Sequence, residues 1–198
     1  MNKKYNEIIS IINKIAQGIK YHEHGLNERY LHHMFSRQIQ NDFHYDLEFN
    51  NIELHPEWPT YKKERDNKRG NKVEFGVYSK KSISKSSDGY PGFIDFTYGN
   101  YVRPEIAIEF MLRYGWSKSE FKFNLLKLMD KRNEFKYPIL VDVILRKGKN
   151  FSFPKTIKQV EHSMKNVKNM LNKFNARGKE CKIFVVVINK DNERKILD

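Results

Sequence analysis

Hydrophobic positions along the chain recur with two periods. Near the start, Ile8, Ile12, Ile15 and Ile19 repeat at helical spacing and Ile9 and Ile11 widen the stripe, which predicts a helix ending near Gly18. After Gly25, Asn27 is placed to cap a second helix from 28 to about 39, with Leu31, Phe35 and Ile39 on one side joined by Met34. The period then drops to two. Tyr45, Leu47 and Phe49 alternate with Asp46 and Glu48 as a first strand, and Val73, Phe75 and Val77 make another. The chain between them, 56–72, is polar, and 79–89 is a Ser/Lys-rich loop. Ser117 can cap a helix to about Arg132, and 138–146 is a buried strand interrupted by Asp142, an edge or hydrogen-bonded acid. Ile157, Val160, Met164, Val167, Leu171 and Phe174 then recur at spacings of three and four, a helix ending at Gly178 with Lys158, Lys165, Lys168 and Lys173 on its other face. Residues 183–188 form a last buried strand. Helices alternating with buried strands imply an α/β sandwich around a mixed sheet.

Composition narrows the class. The 198 residues suit a single domain large enough to bury a core, and 14% aromatics with 39% hydrophobic residues argue for folding despite a mean hydropathy of -0.76. The net charge of +13 favours a polyanionic partner, nucleic acid first, DNA ahead of RNA; a solvated surface in a lysine-rich proteome would carry the same charge. One cysteine, Cys181, excludes an internal disulfide and makes a reducing, cytoplasmic setting the default. No apolar run approaches the ~20 residues of a membrane helix, and the N-terminus lacks the separate basic and apolar regions of a signal peptide.

The stretch 92–112 carries the candidate chemistry. Two strand-like runs are joined by a Gly-Asn turn signal, Gly99-Asn100, with Pro104 closing the connection. Asp95 lies in the first run. In the second, Glu105, Ala107, Glu109 and Met111 share one face, and Ile106, Ile108, Phe110 and Leu112 the other. An acid in each of two largely apolar strands is costly to bury unless neutralised, and a divalent cation is the commonest neutraliser of converging carboxylates. A plain hairpin with surface acids is the alternative.

G-F-I-D followed by I-A-I-E-F resembles the paired acidic motifs of the PD-(D/E)XK (restriction-endonuclease-like) nuclease superfamily. The resemblance implies a restriction-endonuclease-like core, a central mixed β-sheet flanked by helices, spanning 27–146, with an N-terminal helix over 1–20 and a helix-strand extension over 155–189 as additions. It implies Mg²⁺, with Mn²⁺ as an alternative, held by Asp95 and Glu109, and by Glu28 at the start of the second helix as an additional ligand. Glu28 also suits the positive end of that helix without any metal. The family's lysine, two residues past the Glu, is replaced here by Met111. Phe121, Leu125, Leu126, Leu128 and Met129 fill the apolar arc of the 117–132 helix; Lys118 and Lys122 fall inside it while Lys127 and Lys131 point away, so Lys122, or else Lys118, is expected to reach back to the carboxylates. Arg113, on the strand face of Glu109, is a weaker substitute because a guanidinium keeps its proton.

Further basic and imidazole groups remain. Lys62, Lys63, Arg65, Lys68 and Arg69, with Trp58 and Tyr61 beside them, form a loop that could track a phosphate backbone, or a surface insertion. His24, Glu28 and His32 are spaced by four, but H-E-x-x-H is absent and Gly25 interrupts the helix; zinc is disfavoured, and phosphate contacts or plain surface positions suit the histidines. The expected activity is Mg²⁺-dependent hydrolysis of DNA phosphodiesters, with a homodimer left open. The alternative is a catalytically degenerate nuclease-fold module that binds nucleic acid or serves as an assembly subunit, which Met111 motivates. A protein-interaction domain of a defence or toxin system, its lysines merely solubilising, is a third class.

Overall fold

The computed structural model describes residues 2–21, 27–42, 53–59, 72–78, 83–85, 93–95, 100–102, 104–130, 133, 135–146, 152–174 and 180–198. The expected strand at Tyr45–Phe49 and the basic loop residues Lys62, Lys63, Arg65, Lys68 and Arg69 lie outside the described residues. Among the described residues four helices, α1 (Asn2–Gly18), α2 (Glu28–Asp42), α3 (Lys118–Met129) and α4 (Phe153–Phe174), accompany nine strands. These are β1 (Glu53–Pro59), β2 (Lys72–Tyr78), β3 (Ile83–Lys85), β4 (Phe93–Asp95), β5 (Asn100–Val102), β6 (Ile106–Arg113), β7 (Tyr137–Arg146), β8 (Lys182–Asn189) and β9 (Arg194–Leu197).

A six-stranded sheet in the order β1-β2-β6-β7-β8-β9 is the centre of the molecule. Its β6-β7-β8 portion is parallel and the outer pairings are antiparallel, so the sheet is mixed. Period two sorts its side chains into two cores. On one face Phe75, Ile108, Phe110, Val141 and Phe184 pack under α1 and α2, meeting Ile8, Ile12, Leu31 and Phe35. On the other, Ala107, Met111, Leu140, Ile144 and Val185 pack under α3 and α4, meeting Phe121, Leu125, Val160 and Met164. The central strands are covered on both faces, which is why β8 reads as an apolar run and β7 as one broken only by Asp142.

The helices form where the stripe and its caps agree. Asn27 Oδ1 accepts from Tyr30 N at 2.9 Å at the start of α2, and Ser117 Oγ accepts from Glu120 N at 3.4 Å at the start of α3. At the far end of α1, Arg194 of β9 donates to the carbonyls of Gln17 and Ile19, and Asn192 Oδ1 accepts from Tyr21 N at 2.7 Å. Arg194 thus satisfies carbonyls that the helix end leaves unpaired, and Asn192 of the β8–β9 turn takes the N–H that follows. β9 itself lies past the last strand expected, because R-K-I-L is too short and too charged to stand out as a strand.

The stretch 92–112 does not fold as one hairpin of the two acidic runs. Asp95 ends β4, which pairs with β5 in a separate three-stranded sheet ordered β3-β5-β4, where Asp95 is opposite Asn100. Pro104 then separates β5 from β6, so the Glu109 strand pairs with β2 and β7 instead. The 79–89 segment, expected as loop, contributes β3, and Pro56 and Trp58 belong to β1 and not to a polar loop.

Asp142 is a fully buried acid on a central strand, not an edge. Arg113 pairs with it through two hydrogen bonds, Nε to Oδ1 at 2.9 Å and Nη2 to Oδ2. Burial pushes the Asp142 carboxyl up and the guanidinium opposes that shift. Arg113 Nη1 also donates to Ser117 O at 2.9 Å and to Glu120 Oε2 at 3.1 Å, so one guanidinium ties β6 to β7 and to the start of α3. Removing one member of such a pair leaves a buried charge: Arg113→Ala is expected to cost about 3–5 kcal/mol in a urea unfolding series. Lys118→Ala, at an exposed position, should change stability by less than about 0.5 kcal/mol in the same series.

Candidate functional site

The site lies where two strands part. β2 and β6 are paired only over Phe75–Val77 against Ile106–Ile108, although β2 continues to Lys72 and β6 to Arg113. The next residue on each strand is an acid, Glu74 and Glu109. The alternation of β2 also breaks there: Val73 packs into the α3/α4 core, whereas Phe75 and Val77 pack into the α1/α2 core. The fork therefore lets side chains from both helical layers meet across the sheet.

Glu109 is 5% exposed and faces the α3/α4 layer. Lys127 of α3 donates from Nζ to its Oε1 at 2.6 Å, with both side chains largely buried. The other oxygen, Oε2, is buried and makes no hydrogen bond. Burial pushes the Glu109 carboxyl up to about 7; Lys127 opposes that shift, and Glu74 and Glu28 add to it. From the opposite layer, Glu28 opens α2 at an exposed position and accepts a backbone hydrogen bond from Leu112, on the stretch of β6 that β2 has left. Desolvation and then Glu74 raise its pKa, with His32, Lys127 and that hydrogen bond opposing. His32, one turn after Glu28, brings Nε2 to 2.9 Å from Glu74 Oε2, at an angle that makes no regular hydrogen bond. Its pKa is raised: burial is the largest influence and acts downward, but contact with Glu74 and the charges of Glu28 and Glu109 outweigh it.

Several expectations change at this point. Lys118 and Lys122, expected to reach back, are both exposed, and Lys127, expected to point away, makes the contact. The buried stripe of α3 is Phe121, Leu125 and Leu128, narrower than the expected arc because Leu126 and Met129 are only half-buried. Lys127 shares a flank with Asn124, three residues earlier, whose Nδ2 contacts Met111 Sδ at 3.2 Å. That flank, not the centre of the stripe, faces β6. The pinning of α3 by Arg113 sets the level: Ser117 to Lys127 runs roughly 15 Å along a helix, and Arg113 back to Glu109 roughly 13 Å along a strand. Arg113, bound to Asp142, is not at Glu109.

Of the expected metal ligands, Glu109 and Glu28 come within Coulombic reach of each other, while Asp95 stands in the other sheet and its side chain lies outside the described residues. Glu74 was not singled out by its sequence, although an acid between Val73 and Phe75 carries the same signal as Glu109 between Ile108 and Phe110. Among the described residues, no group of three or more His, Cys, Asp and Glu side chains is gathered tightly enough to hold a metal ion as it stands. The orphaned Glu109 Oε2, with two further carboxylates nearby, nonetheless fits a cation better than it fits an apolar core. No helix among the described residues is long and apolar enough to cross a membrane. The chain matches no protein-family model, no curated protein and no solved structure.

The Glu109 shift sets a sign for stability against pH. A carboxyl held at about 7 in the fold and 4.5 outside it keeps its proton better when folded, so stability is lost as pH rises through that window. In chelator-treated protein, wild type should lose up to about 3 kcal/mol relative to Glu109→Gln between pH 4.5 and 7 in urea melts. Parallel pH profiles for the two proteins would contradict a buried, raised Glu109.

Proposed function

We propose that the fork is the active site of a metal-dependent nuclease that hydrolyses DNA phosphodiesters, on a core of the PD-(D/E)XK type. The observation that carries the reading is Glu109: a buried carboxylate with one oxygen on Lys127 and the other without a partner, at the parting of two strands. The order of elements in the main sheet and its cover, α2-β1-β2-β6-α3-β7 with β3, β4 and β5 inserted before β6, supports it: three antiparallel strands are followed by a helix and a parallel strand. Fold alone does not settle activity, so the residues carry the weight.

Glu109 and Glu74, with Glu28 from α2, would hold the ion, Mg²⁺ or Mn²⁺. Bound there, it would supply Lewis acidity, acidifying a water and offsetting charge that builds on the phosphate. Lys127 takes the role for which Lys118 and Lys122 were expected. Its ammonium fixes the Glu109 rotamer and places a positive charge beside the reacting phosphate, where it can orient the attacking water. Met111, at the strand position of the family lysine, is buried and packs in the core. Exposed Lys118, Lys122, Lys158 and Lys165 on α3 and α4 give the molecule a basic side that can hold a phosphate backbone, with affinity falling as salt rises.

Met111 together with the loose spacing of the acids favours a second reading, a degenerate nuclease-fold module that binds nucleic acid without cutting it. A cleavage assay on linear, circular and single-stranded DNA with Mg²⁺, Mn²⁺ or EDTA separates the two. Cutting should require the ion, and Glu109→Gln and Lys127→Met should each lower the rate by about 100-fold or more. Lys118→Ala and Lys122→Ala should cut at close to the wild-type rate at saturating DNA and only bind it more weakly. Salt-sensitive binding with no cleavage would establish the module; metal-independent cleavage, or full activity in Lys127→Met, would overturn the mechanism.

A further inference from the structure

We infer that His32 is a metal ligand, and that the fork takes a first-row transition ion such as Mn²⁺ in preference to Mg²⁺. The inference rests on the proposed metal site and adds the identity of its ion. Glu109 Oε2 is buried at the fork without a partner, and from the α2 side His32 Nε2, buried with no aligned hydrogen bond, stands 2.9 Å from Glu74 Oε2. A buried carboxylate oxygen without a partner is uncommon in native proteins, and a bound ion is one of the few things that explains it. An ion held there would satisfy Glu109 Oε2 and take up the poorly aligned His32–Glu74 contact.

The His32–Glu74 contact has the spacing such an ion would need. His32 Nε2 and Glu74 Oε2 are 2.9 Å apart without hydrogen-bond alignment. Two ligands at right angles on an octahedral ion, each bonded at ~2.1 Å, stand ~3.0 Å apart. The imidazole is also held in place. Its ring meets Phe75 edge-on, with centroids 5.5 Å apart, and packs against Phe110 at 6.0 Å. Glu28 stands one turn before His32 on α2, so both reach the fork from one helix face. Glu28 and Glu109 lie within Coulombic reach of His32, and with their side chains turned onto the His32–Glu74 pair they would complete a set of three carboxylates and one imidazole.

That donor set decides between ions. Mg²⁺ is a hard cation that takes oxygen ligands and gives up its water reluctantly. An imidazole nitrogen adds little to its binding, whereas first-row transition ions accept nitrogen and oxygen together. His32 would thus convert an all-oxygen site into one that discriminates.

The test uses the tag-free, metal-stripped full chain, titrated calorimetrically with Mn²⁺ and separately with Mg²⁺, with electron spin echo spectra of the bound Mn²⁺. Wild type should bind Mn²⁺ at least about tenfold more tightly than Mg²⁺, and the echo should show modulation from a coordinated nitrogen. His32→Gln should lose that modulation and bring the two affinities close together, with Mg²⁺ binding little changed, while Glu109→Gln should weaken both ions. Wild type binding both ions with no nitrogen modulation would overturn the role of His32 and leave the metal site standing. Wild type binding neither ion would remove the site itself, and the inference with it. The wild-type echo decides the matter even if His32→Gln fails to fold.

Discussion

A carboxylate buried on a strand that has lost one neighbour is the constraint on which the rest of this structure turns. Glu109 sits where β6 continues without β2, and taking its charge out of water is costly unless something answers it. Lys127 answers one oxygen from the α3 side. The fork leaves the other oxygen within the field of Glu28 and Glu74, which reach it from the α2 side and from β2. The sheet can open there without coming apart because β6 stays paired with β7 along its whole length. The same opening gives the two helical layers, otherwise separated by the sheet, a place to meet.

The Arg113–Asp142 pair is the second half of that arrangement. It is a costly device, a buried charge pair between the two most central strands, and hydrophobic residues of similar volume would often serve stability as well. What apolar residues would not supply is the third contact, from Arg113 to Ser117 and Glu120, which fixes the first turn of α3 against the end of β6. Trp116 reinforces it, lying under the Arg113 guanidinium at 5.2 Å and donating from Nε1 to Ser163 Oγ of α4 at 3.2 Å. Ten residues on, the helix delivers Lys127 to the level of Glu109. The buried pair therefore positions the lysine of the site without touching it.

Much of this fold was legible in the sequence because its elements are locally consistent. The isoleucine stripe of α1, the Asn27 and Ser117 caps and the apolar runs of β7 and β8 each agree in type with the structure. What period and spacing could not show was partnership. Asp95 and Glu109 are close along the chain, and nearness in sequence suggested one hairpin; Pro104 instead divides the stretch between two sheets. Glu74 is far from Glu109 in sequence and within its electrostatic reach in the fold, a long-range proximity that no local pattern encodes. Lys127 stands on the flank that a helical wheel turns away, because a wheel weighs every apolar residue alike. Leu126 and Met129 widened the arc toward Lys118 and Lys122, while the packed stripe of Phe121, Leu125 and Leu128 turned the opposite flank to the sheet.

The chemistry proposed for the fork follows from charge placed where it is expensive to keep. A raised carboxyl, a lysine in contact with it and two further acids make a site that is poorly satisfied by itself and well satisfied by a cation and a phosphate. The most direct measurement is a carbon-13 NMR titration of the Glu109 side-chain carboxyl in metal-free protein. A midpoint near 7 that climbs further in Lys127→Met is the expected result. A midpoint near 4.5, unmoved by that substitution, would mean that the carboxyl is solvated, that Lys127 does not hold it and that the fork is not a site.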